Sequence, residues 1–175
     1  MKEMGKMADF LPAFERMIQN EGGYVLHDVP GDRGGQTYAG IARNRHPDWR
    51  GWREIDAGRE PEAEAVREFY REHFWRPLQG EAIRSQAIAQ TLFDFAVNAG
   101  VKTAVVLAQA VLGGLTPDGK LGPKTLAALN EADEALFIAR YALAKIARYA
   151  ELVRRDRSQA KFLLGWINRT LKEAA

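Results

Sequence analysis

The reading turns on residues 18–41, IQNEGGYVLHDVPGDRGGQTYAGI. Phe10, Phe14, Met17 and Ile18 lead into it at helical spacing, and Asp9 ahead of Pro12 is a helix start. Gly22-Gly23 is the matching stop, because glycine accepts the backbone reversal that ends a helix. The text then changes to glycines, a proline and the Thr37-Tyr38 pair, which is turn chemistry with at most a short hairpin. The stretch therefore predicts a helix, a Gly-rich lobe and, at its end, a return to other structure.

Helical text resumes at Glu62–Trp75, with Val66, Phe69, Tyr70 and Phe74 on one face and Pro77 as terminator. Ile88, Leu92, Phe95 and Ala96 define a helix over 85–99, broken by Gly100. A second follows over 102–112, closed by Gly113-Gly114, and Pro123 opens a short one through Leu129. The spacing predicts a long amphipathic helix over 132–153, with Leu136, Ala139, Leu143, Ile146, Ala147, Ala150 and Val153 inward. A final helix spans about 159–171, carrying Phe162, Leu163, Trp166, Ile167 and Leu171. Strands do not alternate with helices and no repeat of 20 to 50 residues occurs, which excludes doubly wound, barrel and solenoid folds. The expectation is a mostly α, single globular domain with a small Gly-rich β-hairpin or loop lobe near its N-terminus.

Composition narrows the function. With 175 residues the chain can bury a core without staples, and it has no cysteine. Disulfide scaffolds, thiol nucleophiles and Cys-ligated metals are thereby excluded. A net charge of +2, without blocks of like charge, is too mild to argue nucleic-acid binding. The N-terminus shows no apolar core of a signal peptide, and no 18-residue apolar window exists. His27, His46 and His73 show no paired-ligand spacing, so neither a metal nor an organic cofactor is expected.

The chemistry gathers in the opening stretch. Glu21 stands at a helix C-terminus, where unpaired carbonyls disfavour a second negative charge. An apolar wall would push the same way. Raising its pKa by about two units would cost roughly 2.7 kcal/mol in the ionised form, poor design for structure and good design for a general acid. Eleven residues later comes Asp32 on a Gly-rich turn, and five further Thr37. Glycoside cleavage needs one carboxyl to protonate the leaving oxygen, and a second group to stabilise positive charge or activate water. Asp32 is the candidate for the second role, Asp28 its rival, and Thr37 can help position the water. The plain alternatives are a solvated Glu21 and an Asp32 that only caps its turn.

EGGY followed by D-x-G-G-x-T-x-x-G-I closely resembles the N-terminal signature of glycoside hydrolase family 108, the N-acetylmuramidases. LFDFAVNAG at 92–100, LAQAVLG at 107–113 and DGKLGPKTLAAL at 118–129 resemble that family's C-terminal region, a predicted peptidoglycan-binding segment. FLLGWINR at 162–169 is similar to its closing helix, so the resemblance runs over about residues 9–172. It implies a lysozyme-like fold, a catalytic part over 1–90 and a helical peptidoglycan-binding part over 91–172 packed into the same domain. It also implies Glu21 as the acid, with Asp32 and Thr37 in the loop that phage-type lysozymes place across the cleft. The implied substrate is the peptidoglycan glycan strand, cut at the β-1,4 bond between N-acetylmuramic acid and N-acetylglucosamine. The absence of a signal peptide points to an endolysin delivered by a holin or another export system, or to a protein aiding secretion, made in the cytoplasm and acting in the periplasm or cell wall.

Aromatic walls suit the apolar faces of sugar rings. Tyr24 and Tyr38, flanking the acid and Thr37, are the candidates, with Trp49 and Trp52 nearby, while Trp75 and Trp166 read as core. Asp94 and Asn98, four apart on one helix, can bind a sugar N-acetyl group or brace the lobe. Two rivals stay open: a lytic transglycosylase, which needs one Glu and no Asp, and a non-catalytic wall-binding or secretion-accessory protein.

Overall fold

The computed structural model describes residues 7–28 and 34–175, and the chain divides into two compact units. One comprises Asp9–Arg76. The other comprises Pro77–Ala175 together with Met7 and Ala8.

In the first unit α1 (Phe10–Asn20) starts where the Asp9 carboxylate accepts the Leu11 N–H at 3.1 Å. It buries Phe10, Ala13, Phe14, Met17 and Ile18. The Gly-rich lobe then forms an antiparallel sheet of β1 (Leu26–His27), β2 (Thr37–Tyr38) and β3 (Ile41–Ala42), in that order. Leu26 faces Tyr38 and His27 faces Thr37. Across the next pair Thr37 faces Ala42 and Tyr38 faces Ile41.

Strands of two residues cannot bury a core of their own, so aromatic side chains do it. Tyr38 stacks on Trp49 at 6.0 Å, and Trp52 meets Trp49 edge-on at 5.2 Å. The short helix α2 (Gly51–Asp56) follows, and its Asp56 takes a two-pronged hydrogen bond from Arg43 at 2.7 and 2.8 Å. Gly51 has no alternative, because a Cβ there would lie 2.2 Å from the Trp49 ring. α3 (Ala63–Tyr70) completes the unit and runs into a π turn, Arg71–Trp75. The text predicted one regular helix over 62–75. The wider turn, in which the Arg76 N–H reaches the Arg71 carbonyl at 2.8 Å, instead seats Trp75 fully inside, against Phe10 at 5.7 Å.

The second unit is helical: α4 (Gln86–Ala99), α5 (Val101–Leu112), α6 (Pro123–Glu131), α7 (Glu134–Arg155) and α8 (Ala160–Ala174). The Ser85 hydroxyl caps α4 by accepting the Ile88 N–H at 3.0 Å. α4 is buried on nearly every side, Ile88, Leu92, Phe95 and Ala96 included.

The inward face of α7 differs from the one its aliphatic residues suggest. Leu136 and Leu143 are 49% and 67% exposed, whereas Phe137, Tyr141, Ala142, Lys145 and Tyr149 are buried. Lysine can join that stripe because its ammonium meets Glu173 at 2.6 Å and lies 5.4 Å above the Tyr141 ring. The text DGKLGPKT also has a structural explanation. Buried Gln109 accepts the Gly119 N–H at 3.0 Å and donates to Asp118 at 2.9 Å, to the Lys120 carbonyl at 3.1 Å and to the Thr125 hydroxyl at 3.1 Å. One glutamine holds the whole loop against α5.

Candidate active site

Glu21 is the residue at which α1 ends. Its N–H still reaches the Met17 carbonyl at 3.0 Å, and the two glycines behind it close the helix. The Gly22 N–H returns to the Gln19 carbonyl at 3.2 Å and the Gly23 N–H to that of Ile18 at 2.9 Å, the Schellman pairing. Both glycines have positive φ, +88° and +81°, which explains Gly-Gly in EGGY. The motif thus ends the helix at a fixed residue.

The Glu21 side chain is half-buried. It lies under the two-residue turn joining β2 to β3, Ala39-Gly40, in which both residues have positive φ, the hairpin geometry that matches strand twist. Ala39 adopts it at a steric cost and is tied down: its N–H donates to the Val25 carbonyl at 3.3 Å, and its carbonyl accepts the Tyr70 hydroxyl at 2.8 Å. A Cβ on Gly40 would fall 2.5 Å from the Tyr70 hydroxyl oxygen and 3.3 Å from Glu21 Oε2. The turn, the phenol and the carboxyl are therefore packed to contact, and only glycine fits above them. Burial, and secondarily the charge of Glu21, push the Tyr70 phenol far above its ordinary pKa, so the hydroxyl keeps its proton as donor to Ala39.

Beside the end of α1 opens a groove of about 360 Å3, lined by Leu11, Phe14, Ile18, Gly23, Tyr24 and Arg67 among others. Tyr24, one of the lining residues, is 40% exposed. Partial burial raises its phenol's pKa; Arg67 opposes the shift, and Glu15 and Glu64 add to it. Tyr38 is placed differently: it is 4% exposed, stacked on Trp49, and presents no face to a polymer here. Its phenol pKa is raised by burial first, then by Glu60 and by Tyr24, so the two tyrosines do come near one another. Trp49 and Trp52 are buried.

Thr37 sits half-buried in β2 opposite His27. Asp28 is exposed and accepts a hydrogen bond from Gln36 at 3.3 Å; Gln36 in turn accepts from Arg43 at 2.8 Å. Asp32 lies outside the described residues. Asp94 and Asn98 belong to the second unit. Asp94 is buried and accepts from Gln90 at 3.0 Å, while Asn98 donates to the Asp94 carbonyl at 3.0 Å and accepts from Arg169.

Tyr70 and Gly40 were not singled out from the text as site residues. A lone tyrosine in an apolar helical stripe reads as core, and it is core; only the long-range bond to Ala39 distinguishes it. His46 and His73, far apart in sequence, meet with ring centroids 5.5 Å apart, both against Phe69. Among the described residues no group of three or more His, Asp or Glu is arranged to hold a metal ion.

The glycosyl hydrolase 108 family model matches residues 14–100, and the model of a predicted peptidoglycan domain matches 103–171. With the two in this order over nearly its whole length, the chain belongs to the glycosyl hydrolase 108 family. A solved structure titled as that of SagA from Brucella abortus aligns with it at a TM-score of 0.71 and 25% identity, covering 94% of this chain and 91% of that one. The fold is lysozyme-like and mostly helical, with its small antiparallel sheet near the N-terminus. No curated protein matches the chain. Family and second domain together make it a glycoside hydrolase of peptidoglycan.

Proposed function

We propose that the chain is an N-acetylmuramidase, hydrolysing the β-1,4 bond between N-acetylmuramic acid and N-acetylglucosamine, with Glu21 as general acid. The observation that supports this most is the setting of Glu21: a half-buried carboxyl at a helix terminus, walled by a strained hairpin turn, next to an open groove with an exposed tyrosine. Such a carboxyl is shielded on one side and accessible on the other, which suits a proton donor.

In this reading Glu21 gives its proton to the bridging oxygen as the bond from that oxygen to the anomeric carbon breaks. Positive charge then builds on the sugar, and Asp32 stabilises it or takes the proton of the attacking water. Water supplies the new hydroxyl at the anomeric carbon, and Thr37 positions it. Tyr24 offers its ring to an apolar sugar face. The substrate lies outside the cytoplasmic membrane. No helix among the described residues is long and apolar enough to cross one, so delivery by a holin or another export route belongs to the proposal.

Glu21→Gln keeps the shape and removes the acid. Purified sacculi treated with this variant are expected to keep their turbidity, while the circular dichroism spectrum stays native. Clearing at the parent rate would remove Glu21 from the mechanism.

A further inference from the structure

The first unit carries a groove of about 440 Å3, walled by residues 45–50 and by Ala65, Glu68, Phe69, Glu72 and His73 of α3 and its π turn. A hollow of about 320 Å3 adjoins it, since Arg50 and Ala65 line both. Neither is lined by Glu21, by Tyr70 or by any residue of the groove beside α1. We propose that the joined pair is a second, non-catalytic site for the sugar chain of peptidoglycan, taking N-acetylated pyranose rings in succession. The inference rests on the peptidoglycan reading of the chain, but not on which group is the catalytic acid.

Charge decides the class of ligand. Three carboxylates stand in the groove: Asp48, Glu68 and Glu72. Arg45 and Arg50 stand with them; Arg50 closes on Glu68 at 2.9 Å, and Arg76 closes on Glu72 at 2.6 Å. The adjoining hollow adds Arg53 with Glu54 and Glu62, and Arg59 holds Glu54 at 2.7 Å. The two signs are matched in both hollows, which favours neither an anion nor a cation. A neutral ligand rich in hydroxyl groups fits, because each hydroxyl both donates and accepts.

The imidazoles fit the same ligand. His46 is half-buried, and burial first, then His73 and Arg45, hold its pKa below the ordinary value, so the ring is neutral at neutral pH. The Phe69 carbonyl can only accept, so His73 donates to it from Nδ1 at 2.9 Å, and Nε2 of the neutral ring is an acceptor. Pro47, Trp49 and Phe69 add apolar wall, which suits the C–H faces of sugar rings. Trp49 is held in place: its indole N–H donates to the Ala65 carbonyl at 3.2 Å, and Phe69 meets it edge-on at 6.4 Å. Two joined hollows suit a chain of rings better than a single small molecule. In peptidoglycan the charges sit on the peptide stems and the sugar backbone is neutral. A hold on the strand away from the bond being cut keeps the enzyme on its polymer between cuts.

The test uses the full chain carrying Glu21→Gln and the β-1,4 hexamer of N-acetylglucosamine, followed by proton NMR. The chain has three histidines, His27, His46 and His73, whose imidazole signals are assigned by single His→Gln variants. The hexamer is expected to move the His46 and His73 signals saturably. Adding Arg45→Ala and His73→Ala, both at exposed positions, is expected to weaken that binding, read at His46, about tenfold, the worth of one or two hydrogen bonds. The unfolding temperature should stay in place. Asp48→Ala, also exposed, should weaken binding as well. Inorganic phosphate at the same pH should not displace the hexamer. Signals of His46 and His73 that do not move overturn the proposal, as does equal affinity in parent and variants, or displacement of the hexamer by phosphate. If Glu21→Gln still hydrolyses sacculi, the acid assignment fails, while this site is judged separately on the NMR data.

Discussion

At the scale of single residues, the proposed role of Glu21 rests on how its side chain is enclosed. Tyr70 is the residue that encloses it, by holding Ala39. Tyr70→Phe removes one oxygen, leaves the ring and strands a buried carbonyl. The expected cost is about 1–3 kcal/mol of stability, read by denaturant unfolding, together with reduced turnover of sacculi. A variant as stable and as active as the parent would show that the clamp is dispensable. Gly40→Ala acts on the same contact from above, combining a positive φ with a Cβ 2.5 Å from the Tyr70 oxygen. Backbone strain alone costs roughly 1–2 kcal/mol, so both the unfolding midpoint and the clearing rate are expected to drop. These residues also mark what the text can disclose. The place of Glu21 at the end of α1 is legible because a helix period and a Gly-Gly stop coincide within a few positions. Tyr70 is not, because its role exists only after residues 39 and 70 meet.

At the scale of elements, two buried polar groups do the work that apolar patterning would assign to leucines. The stripe Phe137, Tyr141, Lys145, Tyr149 faces inward on α7, while Leu143 is turned out. Counting aliphatics misses this, since a lysine is buried only when a partner from elsewhere neutralises it. The partner, Glu173, is on α8, 28 positions away. Glu173→Ala should leave Lys145 charged and buried, and lower stability by about 3–5 kcal/mol in chemical denaturation; a change under about 1 kcal/mol would show that the pair contributes little.

In the first unit His46 has its pKa lowered by burial first, then by His73 and Arg45. A base with a depressed folded pKa binds its proton more readily when unfolded. Stability is therefore present above the ordinary histidine range, about 6.5, and is lost as pH falls through that value. Thermal unfolding across pH 5–8 should show this loss, and His46→Gln should flatten it. An unchanged slope in the variant would place the pH dependence elsewhere.

At the scale of the molecule, the class of fold was legible: mostly helical, with a small antiparallel sheet near the N-terminus. Glycine stops, the Pro123 start and most helical periods appear in the structure as read, because each is local chemistry; the π turn at Arg71–Trp75 and the inward face of α7 do not. The two compact units, Asp9–Arg76 and the remainder, follow from long-range packing that no local pattern encodes. Family membership places glycan hydrolysis and a peptidoglycan domain in one chain.

The most direct measurement is mass spectrometry of the fragments released from purified sacculi by the parent and by Glu21→Gln. The account predicts disaccharide-peptides ending in reducing N-acetylmuramic acid from the parent, and none from the variant. Fragments with 1,6-anhydro ends, reducing ends on N-acetylglucosamine, or the same products from both proteins would contradict it.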